Sequence, residues 1–288
     1  MNQSASERRL KAELDALAKP VKGIVGYSLY HTRQNHRIAL NGDEIFPTAS
    51  TIKVAVMGKA FEEVTSGRLG YLDKLAIAPD DRRGGAGFLQ FYKDDAKPEI
   101  KELIHLMITV SDNTATIMLA KKLGVVAINE WLSRLNLKDT RLLSAIPPEE
   151  KELLALREKW GMGMATPNEM VALLDAIRTN KAGTVAACEA MIRILTHQYF
   201  DDLIAAQSPP WVPVASKSGS IDASRSDIAI VFSPSGPYIL AVYAKEIEDR
   251  RWSKENESQK MIKAIARKVY QHYHPREKWS PPPGHDAL

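Results

Sequence analysis

The sequence predicts an α+β fold: an antiparallel sheet in a three-layer α/β/α arrangement, with an all-α domain inserted into it. Three observations carry that expectation. Strand-like stretches fall near both ends of the chain, the middle reads as consecutive helices, and 44% apolar against 26% charged residues in 288 is enough to build a sizeable core. The expected division is a sheet-and-helix domain from residues 1–45 and 205–275, an all-α domain over 46–204, and a flexible tail at 276–288.

The elements follow in order. Ser4 to Ala18 reads as an amphipathic helix with Leu10, Leu14 and Leu17 on one side, stopped by Pro20. Ile24 to His31 and His36 to Leu40 read as strands joined by the polar turn Thr32-Arg33-Gln34-Asn35. Ser50 to Thr65 reads as a helix with an apolar stripe wide enough for a buried central position, closed by Ser66-Gly67. Further helices are expected over Pro98 to Val110, from Asn113 to Lys122, over Val126 to Leu135, and over Thr166 to Thr179, with Thr166 as the cap and Pro167 at the first helical position. Val212 to Ser220 is a strand, and Ser226 to Phe232 and Tyr238 to Lys245 form a hairpin about Ser233-Pro234-Ser235-Gly236-Pro237. Trp252 to His272 is a terminal helix, and the Pro-rich segment Ser280 to Leu288 is mobile. Between Leu142 and Ala165 lies a polar, irregular stretch; a connection that long inside a compact domain is often functional.

Composition narrows the function classes. Net charge is +4, with Lys and Arg scattered among acids, and no nucleic-acid-binding motif accompanies it. The single cysteine, Cys188, rules out an internal disulfide and reads as a small core residue. No apolar run approaches the ~20 residues of a membrane span. The opening segment lacks the apolar stretch of a signal peptide, so the expectation is a cytoplasmic protein or one whose leader has been removed. His272-x-His274 has no acidic or cysteine partner of metal-site spacing, and no phosphate-loop lysine follows Gly84-Gly85-Ala86-Gly87. Neither metal nor cofactor is expected, and no nucleic-acid or membrane partner; the expectation is a monomer acting on a small molecule.

Three strings carry chemistry: Ser50-Thr51-Ile52-Lys53, Ser111-Asp112-Asn113 and Lys217-Ser218-Gly219. Serine three residues before lysine on a helix places hydroxyl and ammonium on one face. A lysine in an otherwise apolar helix is costly to bury charged, and a second cation nearby lowers its proton affinity further, so Lys53 can serve as the base that activates the Ser50 hydroxyl. At a helix start, Ser50 also has backbone N–H groups free for an oxyanion. In the same scheme Ser111 relays a proton to the leaving group, and Asn113 hydrogen-bonds an acyl-amide carbonyl. Lys217 holds a substrate carboxylate and polarises Ser111, beside Ser218. Gly219 lets substrate lie along the strand edge, and the Ser220 N–H is the second oxyanion donor. Taken singly, the strings suit helix caps and a strand end equally well.

In this order and on these elements, the trio resembles the signature of class A β-lactamases and penicillin-binding proteins. The resemblance runs from Gly23 to Glu246. It includes Leu106-Met107-Ile108-Thr109-Val110 before Ser111, Asn113-Thr114-Ala115-Thr116 after it, and the site-bordering loop Gly85-Ala86-Gly87-Phe88-Leu89-Gln90. Leu137-Lys138-Asp139-Thr140-Arg141 resembles the opening of that family's Ω-loop, and Ala165-Thr166-Pro167 its close. The resemblance implies a β-lactamase/transpeptidase-like fold and an acyl-enzyme on Ser50, with β-lactam hydrolysis as the first expectation. A D-alanyl-D-alanine peptidase or small esterase is the second, and a non-catalytic sensor that stays acylated is the third. Arg225, eight residues after Lys217, falls where many of these proteins bind a carboxylate, and also suits a surface strand arginine.

The match breaks inside the loop. The family's Glu-x-x-Leu-Asn, whose glutamate activates the deacylating water, is absent; counting from Asp139 places its site near Ile146, and counting back from Pro167 places it near Glu150. Glu149, Glu150, Glu152 and Glu158 are candidate replacements, with Glu150 preferred. All four also suit a solvated helix face, because Pro148 to Trp160 reads as a short polar helix.

Overall fold

The computed structural model describes residues 4–282. Five antiparallel strands form the main sheet: β1 (Ile24–His31), β2 (His36–Leu40), β6 (Val214–Ile221), β7 (Ser224–Val231) and β8 (Tyr238–Lys245), in the order β2-β1-β8-β7-β6. Strands from both ends of the chain therefore meet at the β1–β8 pairing, where Ile24 faces Lys245 and His31 faces Tyr238. β6 closes the sheet at one side, so half of its backbone polar groups face away from β7. It runs unbroken through Gly219 and Ser220 to Ile221, which removes the bend these residues also suit.

The sheet is buried on both faces, and the pleat sorts its residues between two cores. Ala229, Val231, Leu240, Val242 and Ala244 pack outward against α1 (Ala5–Ala18) and α9 (Glu257–Tyr273). Their neighbours Ile228, Ile230, Ile239, Ala241 and Tyr243 pack the other way, into the helices. This period of two gives the three-layer, mixed α/β architecture. α1 starts as its sequence dictates: the Ser4 hydroxyl accepts from Glu7 N at 3.1 Å, and the Glu7 carboxylate accepts from Ser4 N at 2.7 Å. α9 begins at Glu257, five residues later than Trp252, because Asn256 is its cap: the side chain accepts from Ser258 N and Gln259 N.

The helical layer contains α2 (Lys53–Thr65), α3 (Ile100–Thr109), α4 (Asn113–Leu123), α5 (Val125–Arg134), α6 (Lys151–Trp160), α7 (Pro167–Arg178) and α8 (Val185–Leu195). α2 is central and buried all round from Lys53 to Phe61, and its core is continuous with the inner face of the sheet. α8 is not among the expected helices; it carries Cys188, which is a buried core residue as expected. A second addition is the small sheet of β3 (Phe46–Pro47), β4 (Arg141–Leu142) and β5 (Gly163–Ala165), ordered β3-β5-β4, which ties both ends of the irregular stretch to the segment before Ser50. Residues 276–282 form neither helix nor strand; the rest of the expected tail, 283–288, lies outside the described residues. No helix among the described residues is long and apolar enough to cross a membrane.

Candidate active site

Ser50 lies in a 3-10 turn, Ala49–Ile52, and α2 begins only at Lys53. This corrects the expected helix start at Ser50: the Lys53 N–H is bonded to Ser50 O and Thr51 O, the tighter pattern of a turn feeding a helix. The turn is held in place from several sides. Thr48 N donates to Gly163 O at 2.9 Å, and the Thr51 hydroxyl reaches both Thr48 O at 2.9 Å and Tyr243 OH at 2.9 Å. Ala49 sits at φ 44°, a left-handed conformation that costs a non-glycine residue about 1–2 kcal/mol and persists because these bonds over-determine it. Ser111 is the other strained residue here, at φ 55° between α3 and α4.

Gly219 explains how β6 and the turn come so close. A Cβ there would stand 2.6 Å from Thr48 O, 2.8 Å from Ser226 Oγ and 3.0 Å from Ser50 N. Part of the space freed by its missing side chain is thus taken by the nucleophile's own turn.

Lys53 is fully buried, and its ammonium donates to Ser111 O at 2.7 Å, Ser111 Oγ at 3.1 Å and Asn113 Oδ1 at 2.8 Å. Three acceptors match its three protons. Burial pushes its proton affinity well below the usual lysine range, the Lys217 charge pushes the same way, and Asp112 pulls it back up. The two ends of the Asn113 amide are both engaged, the oxygen by Lys53 and Nδ2 by Gly84 O at 2.9 Å.

Asp112, between the two site residues, is a scaffold the sequence reading left without a role. One carboxylate oxygen caps α4 through Ala115 N at 2.9 Å; the other accepts from Phe88 N at 2.7 Å and Leu89 N at 2.9 Å. Together with Asn113 N donating to Ala86 O at 3.1 Å, this fixes the glycine-rich loop beside the site. Gly87, at φ 102°, has no room for a Cβ, which would fall 2.3 Å from the Asp112 carboxyl carbon.

Lys217 is also fully buried, donating to Ser218 O at 3.0 Å; burial lowers it to about 7, against an upward pull from Asp227. Burial raises Asp227 in turn, to about 7, opposed by Ile204 N, which donates to its carboxylate at 2.9 Å. In the β6–β7 register Lys217 pairs with Ile228 and Ser218 with Asp227, so the Lys217 and Asp227 side chains leave opposite faces of the sheet, and Lys217 is a buried rather than an exposed cation.

Ser50, Ser111, Ser218, Gly219 and Ser220 line one cleft of about 270 Å³ with Ala86, Phe200, Asp202, Leu203, Trp252 and Gln259. Three larger cavities, two of about 630 Å³ and one of about 310 Å³, are lined by none of the three strings' nucleophilic or oxyanion groups, so the chemistry and not the volume identifies the site. Lys53, Asn113 and Lys217 stand behind the lining. Arg225 is not brought to the cleft, and it is not a surface residue either. It is fully buried, its guanidinium donating to Ile221 O, Ser224 O and Arg251 O under the Trp252 ring, 4.6 Å away. Glu150 precedes α6, half-buried, and Glu149, Glu152 and Glu158 are exposed; none of the four lines the cleft. Among the described residues, the one carboxylate in the lining is Asp202, which the sequence reading did not single out.

Comparison with known proteins gives a consistent result. Beta-lactamase VEB-1 of Pseudomonas aeruginosa is 21% identical over 94% of this chain and 92% of its own length. A beta-lactamase of Bacillus amyloliquefaciens is 27% identical over 88% of this chain and 80% of its own. Among solved structures, the L158E mutant of PBP-A, an acyl-enzyme complex with penicillin G, superposes with a TM-score of 0.82 at 25% identity, covering 93% of this chain and 97% of that one. The beta-lactamase from Sphaerobacter thermophilus shares the fold, with a TM-score of 0.80 at 23% identity over 96% of this chain and 100% of that one. The sequence profile of the beta-lactamase enzyme family matches residues 9–273, nearly the whole described chain, and the chain therefore belongs to that family of serine β-lactamase-like hydrolases.

Proposed function

We propose that this protein forms an acyl-enzyme on Ser50 and releases the acyl group slowly. The observation that carries the first half is the placement of Ser50 and Ser111 in one cleft, with the Lys53 ammonium buried on Ser111. Desolvation and the Lys217 charge both lower the proton affinity of Lys53, which favours the neutral amine. When Lys53 loses a proton, its contact with the Ser111 hydroxyl reverses, so that Ser111 donates to the amine. A proton from Ser50 can then pass through this pair as its oxygen attacks the scissile carbonyl, and Ser111 returns it to the leaving nitrogen. The N–H groups of Ser50 and Ser220, both of which line the cleft, are the donors for the developing oxyanion.

Slow release is supported by the cleft lining, to which residues 142–165 contribute no carboxylate. Attack of water on the acyl-enzyme needs a positioned base, and none of the four glutamates of this stretch lines the cleft. A further support is the likeness to the L158E mutant of PBP-A, which was captured as an acyl-enzyme complex with penicillin G. The test is incubation with benzylpenicillin followed by intact mass. An adduct of the penicillin's mass on the native protein, absent from Ser50→Ala, is expected; an adduct that persists in Ser50→Ala, or none on the native protein, contradicts the reading.

A further inference from the structure

We propose that the cavity bounded by residues 89–98 and α3 binds an amphipathic carboxylate, and that its occupancy acts on the turn Ser111-Asp112-Asn113. It shares no lining residue with the Ser50 cleft, so it is a second site.

The cavity holds about 630 Å³, within the range of pockets that take small molecules. Leu89, Tyr92, Ala96, Pro98 and Leu106 give it apolar walls. Lys97, Lys101 and Glu102 are the formally charged side chains in the lining, two cations against one carboxylate. Two of the three are already engaged at the start of α3: Lys101 pairs with Glu99 at 2.9 Å, and the Glu102 carboxylate accepts from Glu99 N at 2.7 Å. Lys97 is exposed and forms no ion pair among the described residues. Desolvation, with His197 and Lys101 nearby, lowers the proton affinity of His105, so this lining residue adds no charge at neutral pH. An apolar body carrying one carboxylate matches such a lining, the body against the leucines and the Tyr92 ring and the charge on Lys97. A cationic ligand would meet Lys97 as a like charge.

Two lining residues reach Asp112 directly. Leu89 N donates to its carboxylate at 2.9 Å, and Asp112 N donates to Leu106 O at 3.0 Å. Leu89 belongs to the 3-10 turn Leu89–Phe91 and Leu106 to α3, so a body seated against both loads the two bonds together. Asp112 joins Ser111, held at φ 55°, to Asn113, and both of those side chains accept from the Lys53 ammonium. Lengthening the bonds on Asp112 loosens the support of these acceptors, so occupancy slows acylation.

The probes are 4-phenylbutyrate and its neutral amide, 4-phenylbutanamide, titrated by calorimetry and by backbone-amide NMR. The native protein should bind the carboxylate about fivefold tighter than the amide, the worth of one charge pair near the surface. Lys97→Gln should bring that ratio to about one, and Ala96→Phe, which puts a ring into the cavity, should abolish saturable binding of both. Saturation with the carboxylate should shift the Leu89 and Asp112 amide signals. It should also slow Ser50 adduct formation by benzylpenicillin at least about threefold in the native protein and leave Ala96→Phe unaffected. No saturable binding to the native protein, equal binding of acid and amide, or binding unchanged in both variants overturns the site. Binding that moves neither the Asp112 signal nor the adduct rate overturns its coupling to the turn. If benzylpenicillin gives no adduct even without the probe, the Ser50 reading fails, while the titrations and amide shifts still decide the site and its coupling.

Discussion

The corner around Lys53 and the stretch around α6 are both polar insertions into an apolar fold, but they are built in opposite ways. At the corner, buried polar groups are bound several times over: Lys53 has three acceptors, Asp112 three donors, and Thr51 two partners. α6 has no buried residue at all. Burying a charge is affordable only where its partners are fixed in advance, so the first region is rigid by necessity and the second is under no such constraint. On the proposed function, the first region holds the groups that form the acyl-enzyme, and the second is a solvated helix that adds no carboxylate to the cleft lining.

Substitutions should divide along that line. The largest effect is expected at Lys53. Lys53→Ala removes the base and should slow Ser50 adduct formation by about 10²–10⁴-fold, measured by stopped acylation and intact mass; a loss below tenfold would break the contrast. Next comes Asp112→Ala, which strands Phe88 N, Leu89 N and Ala115 N in a buried setting. A loss of about 2–4 kcal/mol of unfolding free energy in urea is expected, together with slower acylation as the 84–91 loop loosens.

Lys217→Gln probes the field at the corner. Removing that cation makes the protonated form of Lys53 cheaper and leaves Asp112 to pull the same way, so the affinity of Lys53 for its proton rises. Acylation requires the neutral amine, so the rising limb of its pH profile should move to higher pH. An unmoved or acid-shifted limb would sever Lys217 from the base. The smallest effects belong to α6: Glu150→Gln, like Glu149→Gln, Glu152→Gln and Glu158→Gln, should change stability by under about 0.5 kcal/mol and deacylation by under about twofold.

The same contrast separates what was legible in the sequence from what was not. β1, β2 and β8 were legible to the residue, because apolar runs bounded by turn residues are local signals. The three strings were legible as a set because each keeps its spacing within a few residues. Features made by distant partners were not. Thr51 meets Tyr243 across 192 residues, and the two- and three-residue strands β3, β4 and β5 exist only through one another. The left-handed Ala49, which turns the expected helix start into a 3-10 turn, follows from that tethering and not from its own side chain. Arg225 sits where spacing put it, but the carbonyls that capture it come from the turn before it and from Arg251. Asp202 carries no spacing signal in Tyr199-Phe200-Asp201-Asp202; the fold alone brings it into the lining of the cleft that holds Ser50.

The central claim is that one region makes the acyl-enzyme and the other does not help to break it. The most direct measurement is the decay of the isolated benzylpenicillin adduct, freed of excess drug and followed by intact mass in the native protein and in the quadruple Gln variant of Glu149, Glu150, Glu152 and Glu158. The account predicts a half-life of minutes or longer, the same in both proteins. Release faster than ~1 s⁻¹ in the native protein, slowed in the variant, would contradict it.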